Sequence, residues 1–209
     1  MNRRIALTGG IACGKSLLSR FLREEGVETI DADDIVHELI PDPAERRRIA
    51  TEVFADPAKR RALEARLHPL VRERIRRFVD SSDSSIQGIR IAKAKNPQIA
   101  EAKNRQIDES TNRRILRVAI IPLLFEVHWE SDYDIICSVV SSRAEQIARM
   151  MSTRGYTREE AEARLAAQMP VEEKASRSHY VIRNDGSAEE LRSEAAKFVA
   201  WLKEKIKDE

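Results

Sequence analysis

The run Gly9-Gly10-Ile11-Ala12-Cys13-Gly14-Lys15-Ser16 fits G-x-x-x-x-G-K-[ST] at every fixed position. The chemistry it suits is the cradling of a polyphosphate. Gly9, Gly10 and Gly14 let backbone N–H groups approach phosphate oxygens, and a helix opening near Gly14 would turn its positive end to the anion. Lys15 would reach the β- and γ-phosphates, and the Ser16 hydroxyl would ligate Mg²⁺. A second acidic set follows in Asp31-Ala32-Asp33-Asp34. If these acids end a strand parallel to the first, they face the same crevice as the phosphate loop and could orient and deprotonate an acceptor hydroxyl or support the metal. Each could instead cap a helix starting near Ile35.

Such residues need a scaffold, and the pattern of short apolar runs alternating with helical periods predicts a parallel sheet with helices on both faces. The expected strands are Arg4–Thr8, Val27–Ile30, Arg117–Ile121, Asp134–Val140 and Tyr180–Ile182. Leu17, Leu18, Phe21 and Leu22 share one helical face before Gly26, which completes a βαβ unit. Ala44–Val79 reads as a charged helical excursion. Helices are also expected at Arg143–Ser152 and, opened by a Thr157/Glu160 capping box, through Met169. Leu191, Ala195, Phe198, Val199, Leu202 and Ile206 make a final amphipathic helix. Ser82–Arg114 is a polar insertion, with seven basic against three acidic side chains over residues 84–115.

The chain has 209 residues, 42% of them hydrophobic and 34% charged, which excludes a disordered or uniformly apolar protein. Its longest apolar run, Val118–Phe125, is too short to span a bilayer, and Ile5-Ala6-Leu7 is too short for a signal peptide, so a cytoplasmic location is expected. A net charge of +2 gives no reason to expect nucleic acid or a membrane as partner. Cys13 and Cys137 are expected as free thiols. Cys13, at a helix N-terminus beside Lys15, is further expected to be reactive with a lowered pKa.

Across nearly the whole chain the sequence resembles the dephospho-CoA kinases. The resemblance runs through Leu7-Thr8-Gly9-Gly10-Ile11 with Gly14-Lys15-Ser16, then Asp31-Ala32-Asp33, Leu67-His68-Pro69-Leu70-Val71-Arg72 and Pro122-Leu123-Leu124-Phe125-Glu126. It ends with Gln168, Glu173-Lys174 and Asn184-x-Gly186. It implies an α/β P-loop NTPase fold, adenylate-kinase-like, with a parallel five-stranded sheet, flanking helices, a helical acceptor-side subdomain and a lid. The core would be residues 1–40 and 116–209, the acceptor-side region with its insertion 41–115, and the lid about 143–170. The implied activity is transfer of the ATP γ-phosphoryl group to the ribose 3′-hydroxyl of dephospho-CoA, with Mg²⁺, by a monomer or weak oligomer.

The resemblance also implies roles. Asp33 would be the base, with Lys15 and Arg149 steadying the transferred group. Gly10, Ile11, Ala12, Cys13, Gly14, Lys15, Ser16, Leu17, Arg149 and Asn184 would contact ATP. Thr8, Asp33, His68, Arg72, Leu123, Leu124, Glu126 and Gln168 would contact the acceptor. His68 and Arg72 are four apart and share a face if helical, with Pro69 expected in a first helical turn. The chain also departs from the family pattern. Ala12-Cys13 replace the usual Gly and Ser or Ala, Ser178-His179 stand where Ala-Asp is usual, and no carboxylate ends the third strand. Two other readings remain open at this point: a kinase of the same fold with another small-molecule or nucleotide acceptor, and a nucleotide-dependent switch.

Overall fold

The structure, a computed structural model, describes residues 3–81 and 115–207. The expectations for the polar insertion Ser82–Arg114 lie outside the described residues. The strands are β1 (Ile5–Gly9), β2 (Glu28–Asp31), β3 (Arg117–Ile120), β4 (Ile135–Val140) and β5 (Tyr180–Arg183), in one sheet ordered β2-β3-β1-β4-β5 with every pair parallel. The phosphate-binding motif therefore leaves the central strand, between the ends of β3 and β4.

Alternation along the strands sends side chains into two cores. On one face, Ile5, Leu7, Val118, Ile120, Cys137 and Val139 meet α1 (Lys15–Glu24), through Leu18, Phe21 and Leu22. The C-terminal helix, Ala188–Lys207, adds Leu191, Phe198, Val199 and Leu202 to that core. On the other face, the small Ala6 and Ala119 leave room for the helix Pro57–Asp80, whose Val71, Ile75, Phe78 and Val79 recur at helical spacing. Both faces are covered, which is why the inner strands β1 and β4 are buried along their whole length, while the edge strands β2 and β5 are buried only in part.

Asp31 caps α2 (Ala32–Leu39) by accepting the Asp33 N–H at 2.9 Å, so this helix begins three residues before the expected Ile35. The charged excursion divides into α3 (Pro43–Ala55) and α4 (Pro57–Asp80), with Asp42 and Asp56 as caps. Pro69 lies inside α4 rather than in a first turn. The helix continues through it because packing of Leu67, Val71 and Ile75 against the body of the protein offsets the missing N–H.

Beyond β4 come α5 (Arg143–Arg154), α6 (Arg158–Ala166) and α7 (Val171–Ser176). The capping box at Thr157 and Glu160 is present in both directions, at 3.2 and 2.9 Å. The helix it opens ends at Ala166, before the expected Met169, and Pro170 then starts α7. The C-terminal helix is thus α8 (Ala188–Lys207). No helix among the described residues is long and apolar enough to cross a membrane.

Candidate active site

The loop from β1 to α1 is shaped by glycines and held from outside. Gly14 has φ +91°, and a Cβ there would lie 2.2 Å from Asn184 Nδ2. A Cβ on Gly10 would come within 2.6 Å of Gln146 Nε2 and 2.5 Å of Val171 Cγ1. Ala12 adopts φ +59° without being glycine. Side-chain amides satisfy the loop backbone. Ile11 N–H donates to Gln168 Oε1 at 3.1 Å, and the Ile11 carbonyl accepts from Gln146 Nε2 at 2.7 Å. Asn184 Nδ2 donates to the Cys13 carbonyl at 2.9 Å. Each bond fixes a peptide plane of the cradle by groups that are themselves partly or fully buried.

Charge converges on the same loop. Lys15 Nζ donates to the Gly9 and Gly10 carbonyls at 2.8 and 2.7 Å. Burial pushes its ammonium down to about 8, helped by Lys174, while Cys13, Asp33 and Asp31 act to hold it charged. Arg149, on α5, donates to the Ala12 carbonyl at 3.3 Å and the Asn184 carbonyl at 2.8 Å, and pairs with Glu145 at 2.8 Å. Asp31, at the end of β2, is pushed up to about 6 by burial and by the neighbouring charges of Asp33 and Asp34, against the Asp33 N–H and Lys15. Asp33 and Asp34 are exposed in the first turn of α2, and Ser16 is exposed in the first turn of α1.

Cys13 departs from expectation. Its side chain is buried in the core beneath α1, and burial pushes the thiol up; Lys15 offsets this only in part. The two local features that lower a thiol pKa are present, but desolvation outweighs them. Cys137 is likewise buried and raised, and both thiols are free.

The connection after β3 builds a second wall. Thr8, fully buried, donates to the Pro122 carbonyl at 3.2 Å. Leu123 is exposed, whereas Leu124 and Phe125 pack into the core beneath α4. Glu126 pairs with Lys174 of α7 at 2.8 Å and accepts the Met169 N–H at 3.2 Å. Arg177 lies 4.4 Å over the Phe125 ring and pairs with Glu130. The first carboxylate after β3 is therefore Glu126, on this connection and not at the strand end.

His68 and Arg72 do share a face of α4. His68 meets the Trp129 ring edge-on at 5.5 Å, and Arg72 holds Asp132 through two hydrogen bonds of 2.6 Å. They line a cavity of about 660 Å³ with Arg4, Arg76, Trp129 and Tyr133. Arg4 precedes β1 and Tyr133 precedes β4, so this cavity opens toward the strand starts, whereas the phosphate loop lies beyond the strand ends. Lys15, Asp31, Asp33, Arg149, Asn184 and Gln168 are brought together; His68 and Arg72 stand apart from them.

Two residues given no site role in the sequence belong to its framework. Gln146 is one polar side chain of α5 among many, and only its burial and distant partner distinguish it. Lys174 stands in the Glu173-Lys174 pair of the family resemblance, but its function shows only in its burial and its bonds to Pro122 and Glu126. His179, where the chain departs from the family pattern, accepts the Ile136 N–H through Nδ1 at 3.0 Å.

A parallel sheet of this order, with the motif Gly9–Ser16 leaving its central strand, defines a P-loop fold. Solved structures agree: TT1252 from Thermus thermophilus shares 30% identity with a TM-score of 0.64, over 96% of this chain and 97% of that one. Shikimate kinase from Bacteroides thetaiotaomicron shares the fold at 15% identity and a TM-score of 0.55, over 96% and 98% of the two chains. The sequence profile of the Dephospho-CoA kinase family matches residues 3–45 and 87–190, with most of α3 and all of α4 between the matched ranges. A dephospho-CoA kinase of Symbiobacterium thermophilum is 36% identical over 95% of this chain and 80% of its own length; one from Synechococcus sp. (strain JA-3-3Ab) is 34% identical over 92% and 89%. The chain belongs to the dephospho-CoA kinase family and is an enzyme of that type.

Proposed function

We propose that the enzyme transfers the γ-phosphoryl group of ATP to the ribose 3′-hydroxyl of dephospho-CoA, releasing coenzyme A and ADP. The observation that carries this reading is the convergence of Lys15, Asp31, Asp33 and Arg149 at the phosphate loop. Phosphoryl transfer is mainly positioning and charge stabilisation, and the crevice supplies both. Gly10, Ile11, Ala12, Cys13, Gly14, Lys15, Ser16 and Leu17 hold the phosphates, with Arg149 and Asn184 fixing the loop and the nucleotide beside it. Asp33 accepts the hydroxyl proton: of the two exposed acids in the first turn of α2, it is the one whose charge acts on Lys15.

Mg²⁺ is usually bound through few protein ligands together with water and substrate phosphates, and a hydroxyl exposed beside Lys15 in the first turn of α1 suits that. Ser16 is its proposed protein ligand, and the ion would neutralise charge on the β- and γ-phosphates. On the acceptor side, Glu126 and Gln168 border the crevice, fully buried Thr8 acts from behind by holding the Pro122 carbonyl rather than by touching the acceptor, and exposed Leu123 offers apolar contact with Leu124 packed behind it. His68 and Arg72 fit this reading if the acceptor is extended, with its adenosine at the strand ends and its remaining arm running toward α4.

The test is to supply ATP, Mg²⁺ and a panel of acceptors comprising dephospho-CoA, a nucleoside monophosphate and shikimate, and to identify the product by mass and phosphate position. Coenzyme A as the main product supports the reading, and a preference for another acceptor refutes it. Asp33→Asn should lower kcat by about 10²-fold or more with ATP affinity nearly unchanged. Unchanged kcat would remove Asp33 from the role of base.

A further inference from the structure

A fully buried ammonium joins the acceptor wall to the phosphate loop. Lys174 Nζ donates to the Pro122 carbonyl at 2.8 Å and to Glu126 Oε2 at 3.1 Å, and lies 2.8 Å from Glu126 Oε1. The Pro122 carbonyl also accepts from Thr8, one residue before the end of β1. Glu126 accepts the Met169 N–H, and the adjacent Gln168 holds the Ile11 N–H of the loop. A buried lysine needs its donors matched, and a carboxylate with a carbonyl does so here. An apolar side chain of similar length would fill the same space without the desolvation cost, so the ammonium contributes direction rather than packing. Its effect on Lys15 is consistent with a position beside the phosphate site.

We propose that Lys174 is a positioning residue for phosphoryl transfer: by holding the Pro122 carbonyl and the Glu126 carboxylate, it fixes the Pro122–Glu126 wall against β1 and sets where an acceptor hydroxyl stands relative to Asp33. The inference rests on the functional reading above. Lys174 acts through Glu126 and Pro122 rather than on the reacting atoms.

Lys174→Met, Glu126→Gln and the double variant form the test. The expected result for Lys174→Met is an acceptor KM raised at least about tenfold, an ATP KM within about threefold of the parent, and faster hydrogen exchange at the Met169 amide. The double variant should be no worse than the poorer single variant, because both changes break one contact. Equal movement of both KM values, or unchanged Met169 exchange, overturns the proposal. If Lys174→Met does not fold, Glu126→Gln must show the same acceptor-side split, and an unchanged acceptor KM there overturns it. Failure of the parent enzyme to phosphorylate dephospho-CoA would count against the functional reading, while Met169 exchange would still report on the brace.

Discussion

Ala12 shows how a single residue can carry strain that the surrounding loop imposes. Its φ of +59° is the left-handed region, which costs an L-residue about 1–2 kcal/mol. Glycine would remove that cost and return about 0.5–1 kcal/mol through its larger unfolded-state entropy. Ala12→Gly should therefore stabilise the protein by about 0.5–1 kcal/mol in urea unfolding. A loss instead would mean that the methyl, packed beside Ile147 and Met150, contributes more than the strain costs. The phosphate loop itself was legible because its spacing is local. Cys13 was misread for the same reason: Lys15 and a helix end are visible in the sequence, whereas the core that buries the thiol is assembled from strands and helices up to the C-terminal one.

Among the elements, α5 grips the loop through Gln146 and Arg149, and the segment following α6 grips it through Gln168. Replacing Gln146 by Met keeps the volume but leaves the part-buried Ile11 carbonyl without its donor, a cost of about 1–3 kcal/mol shared between stability and loop geometry. Gln146→Met should weaken MgATP binding about five- to tenfold by calorimetry and change the acceptor KM much less. Equal weakening of both substrates would show that the variant has loosened the whole site. All five strands were readable to within one residue at either end: the inner strands are largely apolar because both faces are covered, and the edge strands β2 and β5 keep a short apolar centre between polar ends. The brace was not. An amide on a helix looks like any solvated polar residue until its partner, far away in sequence, is known. Pro69 was misplaced by a related limit: local preference puts proline at a helix start, while packing of α4 carries the helix across it.

For the molecule as a whole, stability should depend on Asp31. Its carboxyl titrates near 6 in the fold and near about 3.9 when unfolded, so the fold favours the protonated acid. The favourable contribution of this group is complete below its unfolded pKa and is lost as pH rises through about 6. Asp31→Asn keeps a capping oxygen and cannot ionise. Its stability relative to the parent should rise between pH 4 and pH 7.5, by up to about 2–3 kcal/mol. A difference that stays flat with pH would show that Asp31 is solvated enough to ionise freely. The amide clamp has a further consequence, in the order of synthesis. The phosphate motif is complete within the first sixteen residues, yet its partners Gln146, Gln168 and Asn184 lie 135, 157 and 171 residues further on. On the ribosome the motif is therefore made long before the residues that clamp it, and the clamp cannot be completed until the strand leading to Asn184 takes its place at the sheet edge.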